Sequence, residues 1–128
     1  MNIPIHTQGA HLIVSIESVL CDEDLIELRD ELVVQVGKLR SQGVIVDVTK
    51  LDVMDSFAAH TLLDISQLMR LHGAEMVIVG IQPDVAFTLA RFGLNLESIT
   101  TLQDLEEGIA HFAYTADSVH SEAHSRTC

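Results

Sequence analysis

Tryptophan is absent and tyrosine occurs once, so aromatic residues make up only 4% of a 128-residue chain that is 48% hydrophobic. The core must therefore be aliphatic, built from Leu, Ile, Val and Ala. That suits helices packed on a sheet better than a β-sandwich, which usually leans on aromatics. Cysteine is scarce too. Cys21 and Cys128 have no metal-type spacing, no disulfide framework can be read, and a reducing, cytoplasmic compartment is expected. Basic residues number seven against nineteen acidic ones, giving a formal net charge of −12. A surface of that sign repels phosphate backbones and anionic lipid, which argues against nucleic acid and membranes as partners. It suits a basic protein partner. The longest strongly apolar stretch, Met76 to Ile81, falls far short of the roughly 20 residues a membrane-spanning helix needs. The start, Met1-Asn2-Ile3-Pro4-Ile5, lacks the basic cluster and apolar run of a signal peptide. A chain of this length is one domain's worth, and it can bury about two-thirds of its unfolded surface without a metal or disulfide.

What is present is an alternation of strand and helix patterns. Ile3 to His6 and His11 to Ile16 read as a hairpin turned at Gln8-Gly9. Asp22 is the expected N-cap of a first helix, with Asp22, Glu23 and Asp24 at its dipole-favoured end. Leu25, Leu28, Leu32, Val36 and Leu39 form its apolar stripe, and Gly43 is expected to end it. Val44 to Val48 is β-branched and nearly all apolar, as a buried parallel strand would be. A second helix follows Asp55-Ser56, with Ala58, Leu62, Ile65 and Met69 inward, Leu68 and Leu71 widening the stripe, and Gly73 as the stop. Met76 to Val79 is another buried strand. Pro83 and Asp84 then open a third helix, with Val85, Ala86, Leu89 and Phe92 inward and Gly93 closing it. Ile99 suggests a short last strand, and Leu102, Leu105, Ile109 and Phe112 a final helix beginning near Thr100 or Thr101. Residues 1–112 thus form one α/β domain of order ββαβαβα(β)α, a mostly parallel sheet with an antiparallel N-terminal edge. Residues 113–128, rich in Ser, His, Thr and Ala, are expected to be a disordered or frayed tail.

Several chemistries that this order invites have no signature. There is no G-x-G-x-x-G, no phosphate-binding G-x-x-x-x-G-K-[ST] and no G-x-S-x-G nucleophile elbow. A phosphoacceptor aspartate of the response-regulator kind needs an acidic pair after the first strand and a lysine after a later one. The first two strands end in His6 and Ile16, and the only lysines are Lys38 and Lys50. The seven histidines lie on different elements. Only His120 and His124 have helical spacing, and they fall in the tail, where a solvated segment is the better reading than a zinc site. No cofactor, no metal and no enzymatic activity are expected.

The informative segment is Asp55-Ser56-Phe57-Ala58-Ala59, at a strand-to-helix junction. The plain reading makes Ser56 the helix N-cap, with a hydroxyl bonded to a first-turn N–H and no further role. The same geometry also exposes Ser56 at the positive end of a helix dipole. A phosphate there would be tolerated by its own helix. It would also add about −1.5 to −2 charges beside Asp52 and Asp55, changing what can dock.

The stretch Val44-Ile45-Val46-Asp47-Val48-Thr49-Lys50-Leu51-Asp52-Val53-Met54-Asp55-Ser56-Phe57-Ala58-Ala59 resembles the signature of STAS domains, the anti-sigma-factor antagonist fold. A second block runs from Gly73-Ala74 through Gly80-Ile81-Gln82-Pro83-Asp84-Val85-Ala86-Phe87-Thr88-Leu89. It is similar to the stressosome branch of that family, the RsbS and RsbR proteins. The two blocks are more specific together than the D-S pair alone, and the resemblance covers roughly Ile3 to Phe112. It implies a SpoIIAA-like fold with a mostly parallel sheet and about four helices. It also implies a phosphoprotein scaffold in bacterial stress signalling, acting as a dimer inside a large complex with RsbR-type STAS proteins. In such a complex an RsbT-type serine/threonine kinase is held, and released on phosphorylation of the scaffold; an RsbX-type phosphatase resets the state. Ser56 stands at the family's phosphorylatable position. Thr88 matches a second phosphosite of RsbR-type relatives and is the weaker candidate. Asp52, Asp55 and Phe57 would surround the docked partner. The chain has no room for the sensory N-terminal domain of RsbR, so the RsbS type is expected.

Two other readings remain open at this point. One is a free SpoIIAA-like anti-anti-sigma factor that binds an anti-sigma kinase directly. The other is a small acidic α/β enzyme or ligand-binding domain using Asp47, Asp52 and Asp55.

Overall fold

The computed structural model describes residues 3–18, 21–91 and 99–112. Strands β1 (Ile5–Gln8) and β2 (His11–Ser15) precede helix α1 (Asp22–Leu39), strand β3 (Gly43–Asp47) and helix α2 (Ser56–Leu71). Strand β4 (Glu75–Val79), helix α3 (Pro83–Arg91) and strand β5 (Thr100–Leu102) follow. Residues 105–112 form helix α4.

The five strands lie in sequence order, β1-β2-β3-β4-β5. β1 is antiparallel to β2, and every other neighbour is parallel. Parallel crossovers of one hand between sequential strands carry their helices to the same face of the sheet. The core has that form. Leu12, Val14, Val44, Val46, Met76 and Ile78 face a buried layer to which α1, α2 and α3 all contribute. The alternate strand residues Ile13, Ile45, Val77 and Val79 point the other way, where Leu105, Ile109 and Phe112 of α4 cover them. Both faces are thus dry, which is why β3 and β4 read as unbroken apolar runs instead of alternating ones. Leu28, Leu32, Ile65 and Met69 are wholly buried, each contributing on the order of 1.5–3 kcal/mol.

Several boundaries differ from the sequence reading for identifiable reasons. The hairpin pairs Gln8 with His11, so its two-residue turn is Gly9-Ala10, one residue later than expected. Gly9 takes φ 60°, the positive φ that such tight turns require at this point. Helix α1 is capped by Cys21, which gives no side-chain cap bond, and Asp22 is its first helical residue. It ends at Leu39 through Arg40 in the left-handed region. Gly43 does not end the helix; it opens β3, where a Cβ would lie 2.5 Å from the Phe112 ring. That ring also stacks on His11 at a centroid distance of 4.8 Å.

Leu71 is 82% exposed and does not widen the α2 stripe. It lies two residues past buried Met69, which at about 100° per residue turns it to the far side. Ala86 is likewise exposed, whereas Val85 and Leu89 are buried. Thr100 and Thr101 do not begin a helix. They pair with Val77 and Ile78 as the β5 edge, a setting that favours β-branched residues. The helix starts after Asp104, whose Oδ1 accepts the Glu107 N–H at 2.9 Å while Glu107 Oε2 accepts the Gln103 N–H at 2.9 Å. This resembles a capping box, except that Glu107 reaches back to the residue before the Asp104 cap. The expected roles of Phe92 and Gly93, and the 113–128 tail, lie outside the described residues.

Candidate functional site

Residues 48–55 connect β3 to α2 and emerge at the carboxyl ends of the parallel strands, where open α/β sheets present their working surfaces. The first half of this loop is tied down by polar contacts. Asp47 Oδ1 accepts the Thr49 backbone N–H at 2.9 Å and the Thr49 hydroxyl at 2.6 Å, an aspartate turn that folds the chain back at the strand end. The Leu51 N–H donates to the Val48 carbonyl at 2.9 Å, and the Val48 N–H to the Val79 carbonyl at 3.0 Å.

The turn after β4 holds the same loop from the side. Gln82 Nε2 donates to the Thr49 carbonyl at 2.7 Å. Gly80, at φ 78°, lies so close that a Cβ would come within 2.0 Å of Thr49 Oγ1. The second half of the loop is anchored by apolar burial, with Leu51 and Met54 each 5% exposed. The two sequence blocks, one around Asp55-Ser56 and one around Gly80-Ile81-Gln82-Pro83, therefore build a single structure.

Asp55, not Ser56 as expected, caps α2. Asp55 has extended backbone (φ −83°, ψ 173°), and its carboxylate accepts the Ala58 N–H at 2.8 Å. It is the N-cap, and Ser56 is the first helical residue. Both residue types are good caps, so adjacent Asp and Ser leave a one-residue ambiguity in sequence. Ser56 is exposed and free of the capping duty. The consequence is measurable. Asp55→Ala is expected to lower unfolding stability by about 1 kcal/mol. Ser56→Ala should stay within roughly 0.5 kcal/mol of the parent. Urea denaturation of the two variants checks this, and an equal loss in both would contradict the assignment.

Around Ser56 the surface mixes exposed charge with exposed apolar groups. Asp52 and Asp55 are exposed, as are Val53 at 57% and Phe57 at 40%. The structure thus brings Ser56, Asp52, Asp55 and Phe57 together on one loop and helix end. A phosphate on Ser56 would meet the positive end of the α2 dipole, but the Ala58 N–H is already taken by Asp55. Its added charge would sit directly against that carboxylate. Thr88 lies on another element. It is half-buried in α3, with its hydroxyl donating to the Asp84 carbonyl at 2.9 Å.

Thr49, Gly80 and Gln82 were not singled out from sequence. The Asp47-x-Thr49 spacing is a legible turn signal. A hydrogen bond spanning 33 residues, as from Gln82 to Thr49, leaves no local trace. Among the described residues no group of three or more His, Cys, Asp or Glu is placed to hold a metal ion. No described helix is long and apolar enough to cross a membrane. His120 and His124 lie outside the described residues.

Comparison with known proteins points in one direction. The STAS domain pattern matches residues 2–108. The RsbT co-antagonist protein RsbRA of Bacillus subtilis (strain 168) is 35% identical over 82 residues, which is 64% of this chain and 30% of RsbRA. The blue-light photoreceptor of Listeria monocytogenes serovar 1/2a is 33% identical over 69 residues, 54% of this chain and 27% of the photoreceptor. The chain matches less than a third of the length of either relative. Among solved structures, RsbS of Moorella thermoacetica carrying a serine-to-glutamate substitution superposes with a TM-score of 0.81 at 31% identity, covering 91% of this chain and 99% of that one. A chain from the molecular architecture of the stressosome gives 0.75 at 31% identity, covering 88% and 98%. The anti-sigma factor antagonist SpoIIAA, in its unphosphorylated form, shares the fold at 13% identity and a TM-score of 0.73, covering 87% of this chain and 96% of that one.

Proposed function

The chain belongs to the STAS domain family, and from that we propose that it is an RsbS-type scaffold subunit of a cytoplasmic stressosome, a phosphoprotein of bacterial stress signalling. It assembles with RsbR-type STAS proteins, holds an RsbT-type serine/threonine kinase, and releases that kinase once Ser56 is phosphorylated; an RsbX-type phosphatase restores the resting state. The observation that carries this reading is an exposed Ser56 at the first position of α2, in a chain 31% identical to an RsbS over 99% of the latter's length. The chemistry asked of the protein is modest. A kinase substrate must offer an accessible hydroxyl on a segment that need not unfold to be reached, and a partner must be able to sense the added charge.

The loop supports both requirements. It is fastened at Thr49, Leu51 and Met54, so Ser56 is presented on a fixed support. Val53 and Phe57 supply apolar contact area, and Asp52 and Asp55 flank it with negative charge that a basic partner surface complements. Thr88 is a secondary candidate, since its hydroxyl must first leave the Asp84 carbonyl.

Mixing the chain with an RsbR-type STAS protein and an RsbT-type kinase, followed by light scattering on a sizing column, tests the assembly. A megadalton-scale particle containing all three is the expected result. A monomer or dimer that binds an anti-sigma kinase by itself would instead identify a free antagonist of the SpoIIAA kind.

A further inference from the structure

The β4–α3 turn does two things at once through a single residue. The Gln82 carbonyl accepts the Ala86 N–H at 2.9 Å and so begins the hydrogen bonding of α3. The Gln82 side chain reaches across 33 residues of sequence to donate to the Thr49 carbonyl at 2.7 Å. Thr49 is itself engaged on its other polar groups, with N–H and hydroxyl both donating to Asp47 Oδ1. The Gln82 amide therefore caps the remaining polar group of a residue seven positions before Ser56. Downstream of Thr49 the loop is held by the Leu51 N–H to Val48 and by the burial of Leu51 and Met54.

The geometry points to Gln82 as a positioning residue for phosphate transfer to Ser56. This inference rests on the reading of Ser56 as the phosphoacceptor and adds to it a residue that acts through the Thr49 carbonyl. With the amide in place, the loop meets the kinase already ordered. Without it, the Thr49 carbonyl turns to water, the segment between Thr49 and Met54 gains conformational freedom, and docking must restore the order.

Gln82→Glu is the informative substitution, because it keeps the size of the side chain but replaces the donor by a carboxylate that cannot donate to a carbonyl. The expected result is a roughly tenfold fall in kcat/KM for Ser56 phosphorylation by an RsbT-type kinase, carried mainly by KM. Amide hydrogen exchange between residues 49 and 54 should quicken, with β3 and β4 unchanged. Gln82→Ala should behave alike. Ile13→Val, which trims the opposite face of the sheet and lowers the unfolding midpoint, should leave both readouts at the parental level.

Parental kinetics or parental loop exchange in Gln82→Glu would overturn the assignment. So would an equal kinetic loss in Ile13→Val, which would make the effect one of general stability. No phosphate on the parent protein would instead remove the reading of Ser56 itself, an outcome distinct from the other two.

Discussion

Gly80→Ala is expected to destabilise the protein by about 2–5 kcal/mol, more than any substitution on the exposed face of the Ser56 loop. Two costs add at this one position. The backbone sits at φ 78°, where a Cβ brings a penalty on the order of 1–2 kcal/mol. The new methyl would also fall 2.0 Å from Thr49 Oγ1 and 3.0 Å from Thr49 Cα. Overpacking of that kind costs roughly 1–3 kcal/mol. Thr49 cannot simply rotate away, because its hydroxyl is committed to Asp47 at 2.6 Å. Domains of this size are stable by only about 5–15 kcal/mol, so a sizeable share of the total is at stake. The urea midpoint of Gly80→Ala should drop accordingly. Adding Thr49→Ala should recover only the part due to the hydroxyl overlap and leave both the backbone strain and the close approach to Thr49 Cβ and Cα. A midpoint unchanged from the parent would mean that the β4–α3 turn does not pack on the Ser56 loop.

Ser56→Asp is expected to retain the fold and to lose the kinase, with retention on the assembly falling tenfold or more relative to Ser56→Ala. Ser56 is exposed, first in its helix, and is not the residue that caps it, so neither substitution removes a stabilising bond. What differs is charge. A partner seated over Val53 and Phe57 must exclude water from the residue between them, and burying an unpaired carboxylate beside Asp55 is costly. Phosphate carries about −1.5 to −2 charges and aspartate about one, so the substitution reproduces the effect only in part. Co-sedimentation of an RsbT-type kinase with the assembled variants measures this. Equal retention by Ser56→Asp, Ser56→Ala and the parent would show that the kinase does not read charge at this position.

Much of this architecture is legible in the sequence because its physical causes are local. The β-branched runs of β3 and β4, the stripe of Leu25, Leu28, Leu32 and Val36, and proline at the start of α3 each carry their own periodicity or capping chemistry. The errors fall where two local signals compete or where the deciding contact is distant. Asp55 and Ser56 are both good caps, and only the backbone at Asp55 settles which one accepts the Ala58 N–H. Ile99 does signal a short last strand, but Thr100 and Thr101 belong to it and not to the following helix because β4 offers them an open edge, which no window around Ile99 reveals. Gly43 resembles a helix stop, yet its lack of a side chain serves Phe112, 69 positions later in the numbering. The support of the Ser56 loop by Gln82 is of the same distant kind. The D-S pair could be located from sequence; the frame that holds it could not.

Intact mass spectrometry after incubation with an RsbT-type kinase and Mg-ATP, on the parent protein and on Ser56→Ala, tests the central claim most directly. One phosphate added to the parent and none to Ser56→Ala is the predicted result. An unmodified parent in the presence of an active kinase, or a phosphate still gained by Ser56→Ala, would contradict the assignment of Ser56 as the switch.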